Sequence, residues 1–143
     1  MMFPKRKKER SLKSLIKTLD RIFSEYIRLR DADSRGMCRC ITCSNIFHWK
    51  EGDCGHFVQR DRIAVRWDSR NASAQCPRCN RFRGGEQYEH GRAIDRKYGA
   101  GTADTLRALG QVRGTKIDRF WLEHEIEEYK KKLKKIKNNL AII

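Results

Sequence analysis

Two C-x-x-C pairs, Cys40-Ile41-Thr42-Cys43 and Cys76-Pro77-Arg78-Cys79, constrain this chain more than any other feature. Each pair lets two thiolates converge on one ion from a tight turn. Two such pairs, a few tens of residues apart, close a tetrahedral shell around zinc. A shell of four thiolates leaves no position for water, so the predicted site is structural, and its binding free energy is folding free energy. Cys38 competes with Cys40, because C-x-C also occurs in metal sites. Cys54 reads as a small buried residue.

A metal staple suits the composition. Of 143 residues, 38% are hydrophobic and 36% charged, which makes a thin core for a chain of one domain. No apolar run is long enough to span a bilayer, and the basic start lacks the apolar stretch and cleavage site of a secretory signal. A cytoplasmic setting is expected, where cysteines serve as metal ligands or free thiols rather than disulfides. The formal net charge of +15 points to a polyanionic partner. Its spread along the chain favours nucleic acid over a membrane surface.

The chain order predicts an α+β fold. Residues 1–10 form a basic, flexible arm, and residues 11–143 a single domain. Within it, residues 11–33 carry an N-terminal helix, with Leu12, Leu15, Ile16, Leu19, Ile22, Phe23, Tyr26 and Ile27 spaced by three and four. Residues 37–84 read as a zinc-stapled ββα finger. Its strands are expected at 46–49, 54–59 and 72–75, with Pro77 opening a helix that Gly84-Gly85 interrupts. Residues 85–143 are helical, with helices at 86–98 and 102–109. A last, lysine-rich helix is opened by a capping box at Thr115-Lys116-Ile117-Asp118.

Between the cysteine pairs stand three residues suited to phosphodiester hydrolysis. His56 stands between the pairs on a predicted strand, and a neutral imidazole takes a proton from water near pH 7. Asn80 directly follows Cys79, so the staple fixes it where an amide oxygen can serve Mg²⁺ or another divalent metal. Asn71 sits in a polar turn and can brace the loop. His48, His90 and His124 have no such tie to the zinc frame. The joint order, C-x-x-C, His, Asn, C-x-x-C-Asn, is the sign of a nuclease finger.

That order resembles the HNH or His-Me finger nucleases, whose ββα-metal unit carries a general-base histidine on its first strand. Asn80 after Cys79 is similar to the phage endonuclease VII resolvases, in which an asparagine after the last zinc cysteine binds the catalytic metal. More of the chain resembles the NinG/Rap recombination proteins of lambdoid phages, through LDRIFSEYIRLRDAD, CITC, FHWKEGDCGHF, QCPRCNRFRGGEQYE and DRKYGAGTAD. The resemblance implies a structure-specific DNA endonuclease acting on Holliday junctions and D-loops, in a phage protein working in the bacterial cytoplasm. HNH fingers commonly place a metal ligand just before the base, where this chain has Gly55. Asp53, two residues before Gly55 on the same strand face, is the candidate replacement.

Lys50, Arg60, Arg62, Arg66, Arg70, Arg78, Arg81 and Arg83 flank these residues and are the expected DNA contacts. Arginine forks suit phosphate oxygens and fix position rather than base sequence. Trp49, Trp67 and Phe82 can stack on unpaired bases, although at least two of them are needed as core. Paired cuts across a junction suit a homodimer. From another class, the alternative is a non-catalytic zinc-ribbon DNA-binding protein that assists a recombinase. An RNA-binding zinc module is a third reading.

Overall fold

In the computed structural model, residues 2–140 are described. Helix α1 spans Leu12–Arg30, and the Ser11 side chain caps it by accepting from the Ser14 N–H at 3.1 Å. Its apolar stripe buries Leu15, Leu19, Ile22, Phe23 and Ile27. The partner is the last helix, α4, at Arg119–Leu140, which buries Leu122, Ile126, Tyr129 and Leu133 against it. The start of α4 differs from the capping box expected at Thr115. Asp118 makes the cap, its carboxylate accepting from the Trp121 N–H at 2.8 Å. An aspartate there also complements the positive helix end.

Two short antiparallel hairpins lie between these helices. Strand β1 (Met37–Arg39) pairs with β2 (Ile46–His48), placing Cys38 opposite Phe47. Strand β3 (Asp53–His56) pairs with β4 (Ala72–Gln75), placing His56 opposite Ala72 and Gly55 opposite Ser73. The sequence predicts that β3 runs on to residue 59, but it ends at His56. Beyond it, the Asn71 side chain replaces the ladder, as described below.

After β4 comes a five-residue helix of wide π turn, Arg78–Phe82, where the sequence predicts an ordinary α-helix. Pro77 presets its entry with φ −57°. It stops at Gly84 and Gly85, both at positive φ, and the Gly85 N–H closes back on the Cys79 carbonyl at 2.9 Å. Helices α2 (Gln87–Tyr98) and α3 (Thr102–Gly110) follow, and with Phe57 and Val65 they form a second core of Ile94, Ala103 and Leu106. The fold is thus α+β. Among the described residues no helix is long and apolar enough to cross a membrane.

The end of α1 ties these parts together. Arg30 donates to the carbonyls of Ser69 (2.7 Å) and Ala72 (2.9 Å), and Asp31 accepts from the Ala74 N–H at 2.8 Å. Burial alone would push the Asp31 carboxyl up. The adjoining Arg30 guanidinium and the Ala74 N–H overcome that and hold it below the ordinary carboxylate value.

The close packing of β3 on β4 explains why residue 55 is glycine. A Cβ at Gly55 would fall 2.1 Å from Gln75 Oε1 and 2.9 Å from Gln75 Cβ. Gln75 is buried and cannot swing away, because its Nε2 donates to Thr42 Oγ1 (3.0 Å) and the Gly85 carbonyl (2.9 Å). Gly55→Ala is therefore expected to destabilise the fold by about 1–3 kcal/mol, as overpacking typically does. Urea unfolding of the two proteins checks this, and equal midpoints would show that the strand relaxes without cost.

Candidate active site

The four cysteines of the two C-x-x-C pairs meet. The sulfurs of Cys40, Cys43, Cys76 and Cys79 all lie within 4.8 Å of one another. Four thiolates about 2.3 Å from one zinc ion are separated by about 3.8 Å, and Cys43 Sγ lies 3.6 Å from Cys76 Sγ. The Cys76 N–H points at Cys40 Sγ (3.3 Å), and the Cys79 N–H at Cys76 Sγ (3.5 Å). Burial pushes the Cys40 thiol up, but donors at Cys76, Thr42 and Cys43 outweigh it and bring the thiol down to about 6. Burial pushes the Cys43 thiol the other way, up to about 12, and four sulfurs this close are the donor set of zinc, so these residues can hold that ion. Cys38 does not join them. It is buried, and its sulfur contacts the Arg28 carbonyl at 3.2 Å. Cys54, expected to be buried, is only half-buried.

The staple sits beside an open cleft of about 700 Å³, whose lining includes Asp53, Cys54, His56, Arg60, Asn80 and Arg81. Asp53 and His56 come from the two ends of β3, and Asn80 and Arg81 from the short helix that Cys79 anchors. Two segments distant in sequence thus bring the predicted base and both candidate metal ligands to one surface.

His56 is fixed on two sides. Its Nε2 lies 2.9 Å from the Arg66 carbonyl, and its ring centroid is 5.8 Å from that of Phe23 on α1. A carbonyl only accepts, so Nε2 carries the proton and Nδ1 holds the lone pair in the neutral ring. Burial lowers the imidazole below its ordinary value of 6.5, and the positive charge of Arg60 adds to this, against the opposing hydrogen bond to Arg66. The ring is therefore neutral near pH 7 and able to accept a proton.

Asn71 is fully buried and spans the loop after β3. Its Oδ1 accepts from the Val58 N–H (2.8 Å), while Nδ2 donates to the carbonyls of Val58 (2.9 Å) and Val65 (3.2 Å). This holds both limbs of the 58–65 loop and, through the adjoining Arg66, the carbonyl that orients His56. Asn80 donates from Nδ2 to Asp53 Oδ2 at 3.0 Å, which leaves its Oδ1 without a hydrogen bond among the described residues. Asp53 also takes a two-pronged pair from Arg81, at 2.8 and 2.7 Å. Asp53 and Asn80 supply hard oxygen donors, the kind Mg²⁺ takes with water and phosphate. A cation there would compete with Arg81 for the carboxylate.

The other basic residues separate by what holds them. Arg60 lines the cleft, 3.8 Å from Asp20. Arg66 belongs to the scaffold: it forks onto Asp20 (3.1 and 2.6 Å), donates to the Arg60 carbonyl and covers the Trp67 ring. Arg70 is paired with Asp68 at 2.8 Å and Arg83 with Glu86 at 3.8 Å, while Arg78 is exposed. Arg62 is half-buried near Gly110. Lys50 lines a separate groove. Trp49 and Trp67 are core, and Phe82 is exposed.

Sequence reasoning missed the contribution of α1 to the cleft. Ser24 and Arg28 line it, one helical turn apart on the flank of the apolar stripe. That i, i+4 polar pair is the signal that could have found them. It also missed Asp20, which accepts from Arg66 and from Trp67 Nε1 at 2.9 Å and so holds the strap that carries the Arg66 carbonyl. His90 lies outside the cleft lining. It is buried with both ring nitrogens unpartnered among the described residues, and burial brings it down to about 4.

A family model described as Bacteriophage Lambda NinG protein matches residues 3–139 of the chain. No curated protein and no solved structure matches it.

Proposed function

The chain belongs to the bacteriophage lambda NinG family, and from that premise we propose that it is a metal-dependent DNA endonuclease of the HNH type. The substrate in this reading is branched DNA, such as Holliday junctions and D-loops formed in phage recombination. The single observation that carries the reading is the shared cleft: His56, Asp53 and Asn80 line one surface beside the cysteine cluster. A neutral, doubly fixed histidine beside two oxygen donors is the arrangement that metal-assisted hydrolysis needs. The order β3, β4, short helix also supports the ββα comparison, with His56 on the first strand, Asn71 just before the second and Asn80 on the helix.

In this mechanism Nδ1 of His56 takes a proton from water as the water oxygen attacks phosphorus. The bond from phosphorus to the leaving oxygen then breaks. The Arg66 carbonyl keeps the ring in the tautomer that can do this, and stabilises the imidazolium that forms. Asp53 and the Oδ1 of Asn80 would hold a divalent cation, which when bound supplies charge stabilisation at the leaving oxygen. Arg60 and Arg81 bind the flanking phosphates as forked donors. The cysteine cluster would hold a structural zinc, and the short helix that Cys79 anchors would keep Asn80 in register with β3.

The test is cleavage of a labelled four-way junction and a linear duplex of the same arm sequence, with Mg²⁺, with Mn²⁺ and with a mild chelator. The junction should be cut only when a divalent cation is present, and the linear duplex far more slowly. Binding without cleavage under every divalent cation would instead favour the non-catalytic zinc-ribbon protein.

A further inference from the structure

Behind the cleft, on the other flank of α1, lies a second groove of about 780 Å³. Lys50 from the turn after β2 and Lys130, Lys134 and Lys137 from α4 line it, with Glu25 as its one acid. Glu25 is already engaged by Lys137 at 2.8 Å. Lys50 and Lys134 have no acidic partner among the described residues, and Lys130 has only the exposed Glu127 at 3.4 Å. The floor is apolar, made of Leu29, Leu133 and the largely buried Trp49, over which the Lys50 ammonium sits 5.6 Å from the ring centroid. A lysine wall above an apolar floor, unneutralised from within, matches the chemistry of a polyanion backbone.

The place of the groove identifies the polyanion. Ser24 and Arg28 of α1 face the cleft, while Glu25 and Leu29, the next residue on in each case, face the groove. One helix is thus the ridge between the two. Arg28 crosses that ridge, lining the cleft while donating to the Trp49 carbonyl at 2.9 Å and lying over the Trp49 ring at 5.4 Å. A linear duplex seated in the cleft has no second arm to lay on the far side of the helix. A branched DNA has one, because a second arm leaves the branch point beside the first. Resting on the endonuclease reading above, we propose that the Lys50–Lys134 groove binds the sugar–phosphate backbone of a second arm of branched DNA, so that α1 sits in the fork between two arms.

The test uses the full-length, zinc-loaded protein. Lys130→Glu/Lys134→Glu alters two exposed groove residues on α4. Lys131→Glu/Lys135→Glu makes the same change in net charge on exposed residues of that helix outside the groove lining. Glutamate suits a helix as well as lysine does, and circular dichroism and zinc content confirm the fold of both. The groove variant should bind a four-way junction at least tenfold more weakly than the control at about 0.1 M salt. Its slope of log affinity against log salt should fall by about 0.9 for each phosphate that is no longer neutralised. Both variants should bind a linear duplex alike. Equal junction affinity and slope in the two variants would overturn the second-arm site. So would a matching loss on linear duplex, which would make the groove a seat for the first arm. If wild type itself does not distinguish junction from duplex, the branched-substrate reading falls, and the second-arm site falls with it. Wild-type discrimination with no difference between the variants removes only the groove.

Discussion

Replacing His56 with alanine is expected to reduce cleavage of branched DNA by about 10²–10⁴-fold, the usual cost of losing a general base, while leaving DNA affinity nearly unchanged. In the proposed mechanism the ring acts through one nitrogen, because the other is bound to the Arg66 carbonyl. The proposed phosphate grip lies elsewhere, on Arg60 and Arg81, which line the cleft. The pH profile adds a second readout. His56 must be neutral to accept a proton, and burial lowers it from 6.5. The acid limb of the wild-type rate should therefore fall at a pH below 6.5 and be absent from the residual His56→Ala rate. Single-turnover cleavage at saturating protein, followed across pH, measures both. Equal rates for the two proteins would remove His56 from the mechanism, and an acid limb well above 6.5 would assign the proton to another group.

Cys79→Ser should have the larger effect on the molecule as a whole. Structural zinc in small fingers contributes on the order of 10–16 kcal/mol, comparable with the entire stability of a domain, about 5–15 kcal/mol. The packing around the cluster is too slight to replace it. Strand β4 has four residues and the following helix five, and neither can nucleate alone. We therefore expect one zinc per purified wild-type chain and, in the variant, loss of both zinc and cooperative melting. Strong chelation of the wild type should reproduce that loss, whereas mild chelation of Mg²⁺ should stop cleavage and leave the melt intact. Folded wild-type protein free of zinc, or a variant with an unchanged melt, would rule out a structural staple.

What could be read from the sequence was what local spacing encodes. The stripes of α1 and α4 repeat at three and four over many residues, so their existence and buried faces were legible. The C-x-x-C turns announce their own geometry, and with it the position of Asn80. The environment of His56 was not legible, because it is made by contacts remote in sequence. Arg66 supplies the orienting carbonyl from a strap that Asp20, on α1, holds by its guanidinium. By type and neighbourhood Arg66 reads as a DNA contact, and no local signal separates it from Arg60. Asp53 presents a similar difficulty. Strand alternation makes it a candidate, but its bonds to Asn80 and Arg81 depend on where the staple places the short helix. The cap of α4 went to Asp118 rather than Thr115 because both fit a capping pattern, and packing on α1 chose the register.

Tyr129 gives this architecture an order in time. Its hydroxyl donates to the Trp67 carbonyl at 2.7 Å, and its ring meets Phe23 edge-on at 5.2 Å, the same Phe23 that backs His56. The wall behind the proposed base therefore rests on a residue near the far end of the chain. On a translating ribosome, all four zinc cysteines emerge some fifty residues before Tyr129 does. The nascent chain could load its metal while Phe23, behind the imidazole, still lacks Tyr129 at its edge. Synthesis would thus separate assembly of the staple from the final packing behind the proposed base, which waits for the last helix.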